Sequence, residues 1–156
     1  MLLPFFEWIE TTSVGEALAQ SIWSFAIIES IHLVVLCVLG GSLLIVDLRL
    51  LGVGLKSQPI DTLGAYAHRW AVGAAILMIA TGMLLMISEP IKLYYNTSFW
   101  VKIWTLPVAL LFTFTVRKRV IRRAGMKATW RTRLVGGASI AVWFVVAAAG
   151  RWIGFS

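Results

Sequence analysis

Long apolar stretches separated by short polar connections dominate the pattern along this chain. A membrane core about 30 Å thick takes roughly 20 apolar residues to cross as a helix, so stretches of this length predict membrane spans. The predicted spans are residues 22–47, 70–89, 99–116 and 134–153. The short connections between them favour a compact bundle in which neighbouring helices are antiparallel.

The segment at residues 4–20, before the first span, mixes aromatic with acidic residues, which is typical of a helix lying at the membrane surface. Within it, Ser13 followed by Glu16 has the spacing of a capping box and predicts a short helix from Val14. We therefore expect an all-α membrane protein. Its fold would be a four-transmembrane-helix bundle with an N-terminal interfacial helix, forming a single integral membrane domain over residues 1–156.

Composition supports membrane insertion and charge suggests an orientation. The mean hydropathy is +0.87 and 13% of residues are charged, which is too apolar for a soluble domain. The net charge is +7, with eight basic residues between positions 117 and 133. Because basic loops stay in the cytoplasm, both termini are expected on the outer side. At this juxtamembrane position we expect anionic lipids to bind residues 117–133, rather than nucleic acid.

Two polar residues lie well inside the first span and call for a physical reason. A charge in the middle of a spanning helix costs about 3 kcal/mol. Such residues are therefore usually paired or functional. At 100° per residue, Glu29 lies about 60° from His32, and Gly40 falls on the same stripe of the helix. Gly40 would leave room beneath the imidazole for a flat group or for another helix. Cys37 is the single cysteine, so a metal site built from several cysteines of this chain is excluded.

The chain's two histidines invite the idea of one haem clamped between His32 and His68. Helical rise argues against this arrangement. If Asp47 and His68 both mark the cytoplasmic edge, His32 lies about 22 Å further along the membrane normal. We expect His68 instead in a polar cluster at the interface, close in height to Asp47 and Arg49.

Counting heights along the other spans predicts a pocket in the outer half of the bundle. The residues expected to converge there are Glu29, His32, Met83 or Met86, Glu89 and Lys102.

Four uses of this pocket are open on the residues alone. Haem b could bind His32, with Met86, a lysine or no residue as the sixth ligand. Copper is a second guest, because an imidazole and the Met86 thioether suit Cu(I). Glu29 and Lys102 could instead form a purely structural ion pair. Finally, Glu29 and His32 could pass protons without any cofactor.

Three motifs carry a resemblance to known families: ESIHLVVLCVLGGSLLIVDLRLLG, AHRWAVGAAILMIATGMLLMISEP and SFWVKIW. Together they resemble a family of small, uncharacterised bacterial four-span membrane proteins. More distantly they are similar to the superfamily that contains the copper-resistance D membrane domain and the haem b protoporphyrinogen oxidase of bacteria. The resemblance implies His32 and Lys102 as functional residues, with Arg49 a weaker candidate.

The resemblance also implies the bacterial inner membrane and a haem or redox role. Our leading hypothesis is a protein that binds haem b through His32 and passes electrons to a membrane or periplasmic partner. The alternatives are a non-catalytic membrane subunit or homo-oligomer with a structural Glu29–Lys102 pair, and a copper-handling permease.

Overall fold

The computed structural model describes residues 2–155, except for the side chains of Ala19, Ile22 and Phe155. This part of the chain is almost entirely helical. Its α-helices are α1 (Leu3–Glu10), α2 (Ser13–Gln20), α3 (Ile22–Leu51), α4 (Ile60–Ser88), α5 (Pro90–Tyr94), α6 (Thr97–Phe112), α7 (Lys118–Arg123) and α8 (Trp130–Trp152). Four continuous helical stretches, namely α3, α4, α6 with its extension to Arg123, and α8, are long and apolar enough to cross a membrane. The predicted four-span helical bundle is confirmed.

The second span begins ten residues earlier than predicted. We expected a loop up to His68, but α4 starts at Ile60, directly after Pro59 in extended conformation. Ile60 and Ala67 are buried against Val46 and other apolar residues of α3. This burial stabilises the first two turns as helix despite the polar residues among them. His68 consequently lies on a helix rather than in a loop.

The third span is longer than predicted and includes much of the basic stretch. At Thr113–Arg117 α6 passes into a π-helical turn, which continues directly into α7. The chain is therefore helical from residue 97 to 123, and the loop before α8 is confined to residues 124–129. Thr129 caps α8 through reciprocal bonds with Thr132, which begins this helix at Trp130 instead of residue 134.

The spans do not pack in chain order. α4 packs along α3, α3 packs against α8, and α8 packs against α6. Within residues 2–155, α4 and α6 make no comparable contact, and α4 instead meets the α7 extension. We call the end that carries the 52–59 and 124–129 connections the basic end. The other, which carries α1, α2 and α5, we call the terminal end.

The N-terminal segment forms two short helices instead of one. Thr12, not Ser13, is the cap of α2: its hydroxyl accepts a hydrogen bond from the Gly15 amide at 3.2 Å. α1 packs on α5, and Phe6 is buried with Leu93 and Phe99 in an apolar cluster. These contacts cover the terminal end of the bundle.

Candidate functional site

His32 is buried on α3 and its ring is held by α4. Its Nδ1 lies 2.7 Å from the Thr81 hydroxyl, and 8% of the residue is exposed. Thr81 in turn donates to the Leu77 carbonyl at 2.7 Å. Gly82 follows Thr81 on the chain, and a Cβ there would lie 3.5 Å from the His32 Cε1 atom, an ordinary van der Waals distance. α4 therefore packs directly against the imidazole at this point.

The Thr81 hydroxyl has one hydrogen and two neighbours that can accept it, the Leu77 carbonyl and His32 Nδ1. Which of them receives it depends on the tautomer of His32. When the hydrogen goes to Leu77, Thr81 accepts from His32 and Nδ1 carries the proton. In a neutral imidazole the other nitrogen, Nε2, then has its lone pair available. The hydrogen bond between Nδ1 and Thr81 orients the ring, as protein partners orient metal-bound histidines through the nitrogen that does not bind the metal.

Lys102 lies at the height of His32. Asp47 and Arg117, which contact each other, are each fifteen residues along their helices from His32 and Lys102 respectively. At 1.5 Å per residue, His32 and Lys102 therefore each lie roughly 22 Å from the Asp47–Arg117 pair, towards the terminal end. The Lys102 charge acts electrostatically on His32. The lysine stem packs on α8, where a Cβ at Gly150 would lie 3.4 Å from Nζ.

The ammonium of Lys102 has no carboxylate partner among residues 2–155. The ion pairs of this part of the chain join Arg117 to Asp47 and Lys92 to Glu89. The predicted pairing of Glu29 with Lys102 is not one of them, and Glu29 lies on an exposed face of α3. Glu29 is exposed, whereas Lys102 is partly buried with its stem against Gly150 of α8, so the two side chains have different surroundings.

The predicted pocket is thus divided. Glu89 pairs with Lys92 at 3.0 Å on an exposed turn. Met86 is half-buried in the cluster around Phe6, while Met83 is 52% exposed.

The structure places Gly40 on the surface of α3. Gly40 is exposed, and a Cβ there would touch nothing within 4 Å, whereas Gly82 is the glycine that contacts the imidazole. Met86, the thioether predicted for copper, packs in the cluster around Phe6, and the copper hypothesis stays a prediction. Within the described chain, no group of three or more His, Cys, Asp or Glu side chains is placed to share a metal ion.

His68 is far from His32. Thirteen residues of α4 separate it from Thr81, which corresponds to about 20 Å along the helix. Its Nε2 lies 3.3 Å from the Lys118 Nζ, and its ring meets the edge of Phe114 with centroids 5.8 Å apart. The two histidines are therefore too far apart to bind one iron. This agrees with the prediction made from helical rise.

A second buried polar cluster lies at the basic end. Arg117 donates through Nε to the Asp47 carboxylate at 2.7 Å and through Nη2 to the Leu43 carbonyl at 3.0 Å. The other Asp47 oxygen accepts from the Ser139 hydroxyl at 2.7 Å. This cluster joins α3, the π-helical turn after α6, and α8. Every buried polar side-chain atom of the described residues has a partner. With no open ligand position, we assign the cluster a structural role.

Arg49, the weaker functional candidate, also has a structural environment. It is 2% exposed and donates to the carbonyls of Gln58 at 2.8 Å, Lys56 at 3.4 Å and Met126 at 2.5 Å. These bonds tie both connections of the basic end to α3. The guanidinium donors are directed at backbone and lie far from His32.

Two residues of these clusters were missed at the level of sequence. Thr81 was not linked to His32, although it lies within the predicted second span at the depth where a partner of His32 was needed. Arg117 was counted only as a topological charge. A signal existed for it, because a buried carboxylate such as Asp47 requires a cationic partner.

Comparison with known proteins adds a family but no relative of known activity. A model described as a family of unknown function, DUF6644, matches residues 5–156. No curated protein matches the chain. No solved structure matches it either.

Proposed function

This chain belongs to the family of unknown function DUF6644, and we propose that it is an integral membrane haem b protein with a role in electron transfer. His32 is the proposed ligand and Lys102 the residue facing the same site. Bound haem b would supply a one-electron couple. The chain's own residues would hold the group, orient its ligand and keep water away.

The hydrogen-bonded chain from His32 to Thr81 to Leu77 carries this proposal. With the Thr81 hydrogen donated to Leu77, the Nδ1 proton points to Thr81 and Nε2 is the nitrogen that would bind iron. Neutral imidazole with a protonated, hydrogen-bonded distal nitrogen is the usual proximal ligand arrangement.

Lys102 supports the same site from the other side of the bundle. An unpaired ammonium inside a membrane is costly and usually marks a functional site. Haem b offers two kinds of partner, since its propionates are anionic and its iron accepts an amine lone pair. Val35 and Met78 lie about one turn from His32 and Thr81 on α3 and α4, and these apolar neighbours would keep water from a bound haem.

The distribution of charge supports an orientation for this site. The basic end would face the cytoplasm and both termini the periplasm of a bacterial inner membrane. His32 and Lys102 would then lie in the outer half of the bilayer. A donor or acceptor within the membrane or in the periplasm could reach them.

A structural subunit is the second candidate, and one observation favours it. Lys102 packs its stem along Gly150 and His32 has a protein partner, so both side chains contribute to helix contacts even without a cofactor. In that case the residues would matter for stability and assembly alone.

The absorbance spectrum of purified protein distinguishes the two. We expect a Soret band in protein produced with a haem precursor, lost in His32→Ala and retained in the matched control His68→Ala. Lys102→Met should keep the protein folded and shift the band or weaken haem retention. If haem-supplemented wild-type protein shows no Soret band, or if His32→Ala retains it, the haem proposal is refuted.

A further inference from the structure

A basic groove runs along the helix that leaves the third span. Its lining residues come in pairs on three successive turns: Phe114 and Thr115, Lys118 and Arg119, and Arg122 and Arg123. The groove encloses about 500 Å³. Because the helix continues without interruption from α6 into α7, these side chains follow one face.

Charge in the groove is not neutralised by neighbouring acids. Its lining contains four cations and no carboxylate. Of the acidic residues, Asp47 and Asp61 lie towards the basic end. Asp47 is already bonded to Arg117, which turns into the bundle. Asp61 is exposed on the first turn of α4 and is not among the lining residues.

The order of chemistry along the groove matches that of a phospholipid. Phe114 and Thr115 lie in the π-helical turn after α6, and the four basic residues follow on the last two turns of the third span, in α7. One turn rises about 5.4 Å, so the four cations extend over roughly 10 Å along the helix beyond Phe114 and Thr115. An acyl chain can lie beside Phe114 while a phosphate contacts the basic turns. A free phosphate would contact only the basic part of the groove and would leave the surface beside Phe114 uncovered.

We propose that this groove is a discrete binding site for the headgroup of one anionic phospholipid. Lys118 is the residue best fixed in place, because its Nζ donates to His68 Nε2 at 3.3 Å. His68 then carries its own proton on Nδ1, since a lysine ammonium can only donate. The site differs from a general attraction of residues 117–133 to the membrane, because Lys127 and Arg131 lie outside it.

Native mass spectrometry of the full chain in neutral detergent tests the site. The probes are phosphatidylglycerol, phosphatidylcholine and inorganic phosphate, each titrated separately. We expect one phosphatidylglycerol to bind tightly. Lys118→Gln with Arg122→Gln should weaken it about 30-fold, since each basic residue near an anionic headgroup contributes about fivefold. The charge-matched control, Lys127→Gln with Arg131→Gln, should change it less than about threefold.

Several results would overturn the proposal. Equal binding of phosphatidylcholine would remove the role of charge, and displacement of the lipid by millimolar inorganic phosphate would show a simple anion site. An equal loss in the control variant would show diffuse attraction. Lys118→Arg with Arg122→Lys keeps the charge and should retain binding, which separates a folding defect from a lost contact. A loss in this variant, too, would contradict the proposal.

Discussion

Removing the Arg117 side chain should be among the most destabilising changes in this protein. Asp47, Arg117 and Ser139 are 1%, 6% and 0% exposed. Arg117→Met would leave the Asp47 carboxylate with Ser139 as its side-chain donor in the described structure. Breaking one side of a buried ion pair costs about 3–5 kcal/mol. For a chain of this size that corresponds to a fall in Tm of roughly 6–20 °C.

Further variants test the reasoning as well as the magnitude. Ser139→Ala removes one hydrogen bond to a charged group and should cost about 1.5–3 kcal/mol. Asp47→Asn with Arg117→Met removes both charges and should be more stable than Arg117→Met alone, because no unpaired charge remains. Exposed Arg119→Met is the control and should change stability by less than about 0.5 kcal/mol.

Equilibrium unfolding in mixed micelles, followed by circular dichroism, measures these free energies. The two single substitutions, Asp47→Asn and Arg117→Met, should give a coupling energy of at least about 2 kcal/mol relative to the double variant. If Arg117→Met were within about 1 kcal/mol of wild type, or if the single effects simply added, the buried pair would not be a major link between the spans.

Three other predictions concern the imidazole, a helix contact and the basic-end loops. Thr81→Val keeps the shape but removes the acceptor of His32 Nδ1, so haem retention in a chase with apomyoglobin should fall about 10–100-fold; unchanged retention would contradict the assigned orientation. Gly136→Ala should cost about 1–3 kcal/mol in the same unfolding assay because its Cβ would lie 3.0 Å from backbone, whereas Gly137→Ala, in open space, should be neutral or stabilising; equal effects would refute the close contact. Arg49→Met should speed hydrogen exchange and proteolysis at residues 52–59 without changing the Soret band, and unaltered exchange there would contradict its tethering role.

The helices could be predicted from sequence, but their ends could not. Apolar stretches of sufficient length identified all four spans. The breaker Pro59 suggested a long loop, although burial of Ile60 against α3 extends the helix to it. The run of basic residues after Val116 likewise suggested a loop. Burial of Ile121 with Val46 keeps that stretch helical, which sequence pattern alone does not reveal.

Heights were more predictable than faces. Counting residues placed His32 and Lys102 at one level and kept His68 away. The faces of α3 could not be read, because this helix is apolar all round and has no hydrophobic side to show which residues turn inward. Glu29 was therefore placed in the pocket although it is exposed. Thr81 escaped notice because a helical threonine ordinarily bonds only its own backbone.

The packing order of the spans has a consequence for biogenesis. α8 is the last span to be synthesised, yet it fills the space between α3 and α6. Until it emerges, the Asp47–Arg117 pair can already bridge the two earlier spans, since both of its members precede residue 118. Ser139 then completes the carboxylate's contacts as α8 inserts. The ion pair can therefore hold α3 and the third span together before α8 inserts between them.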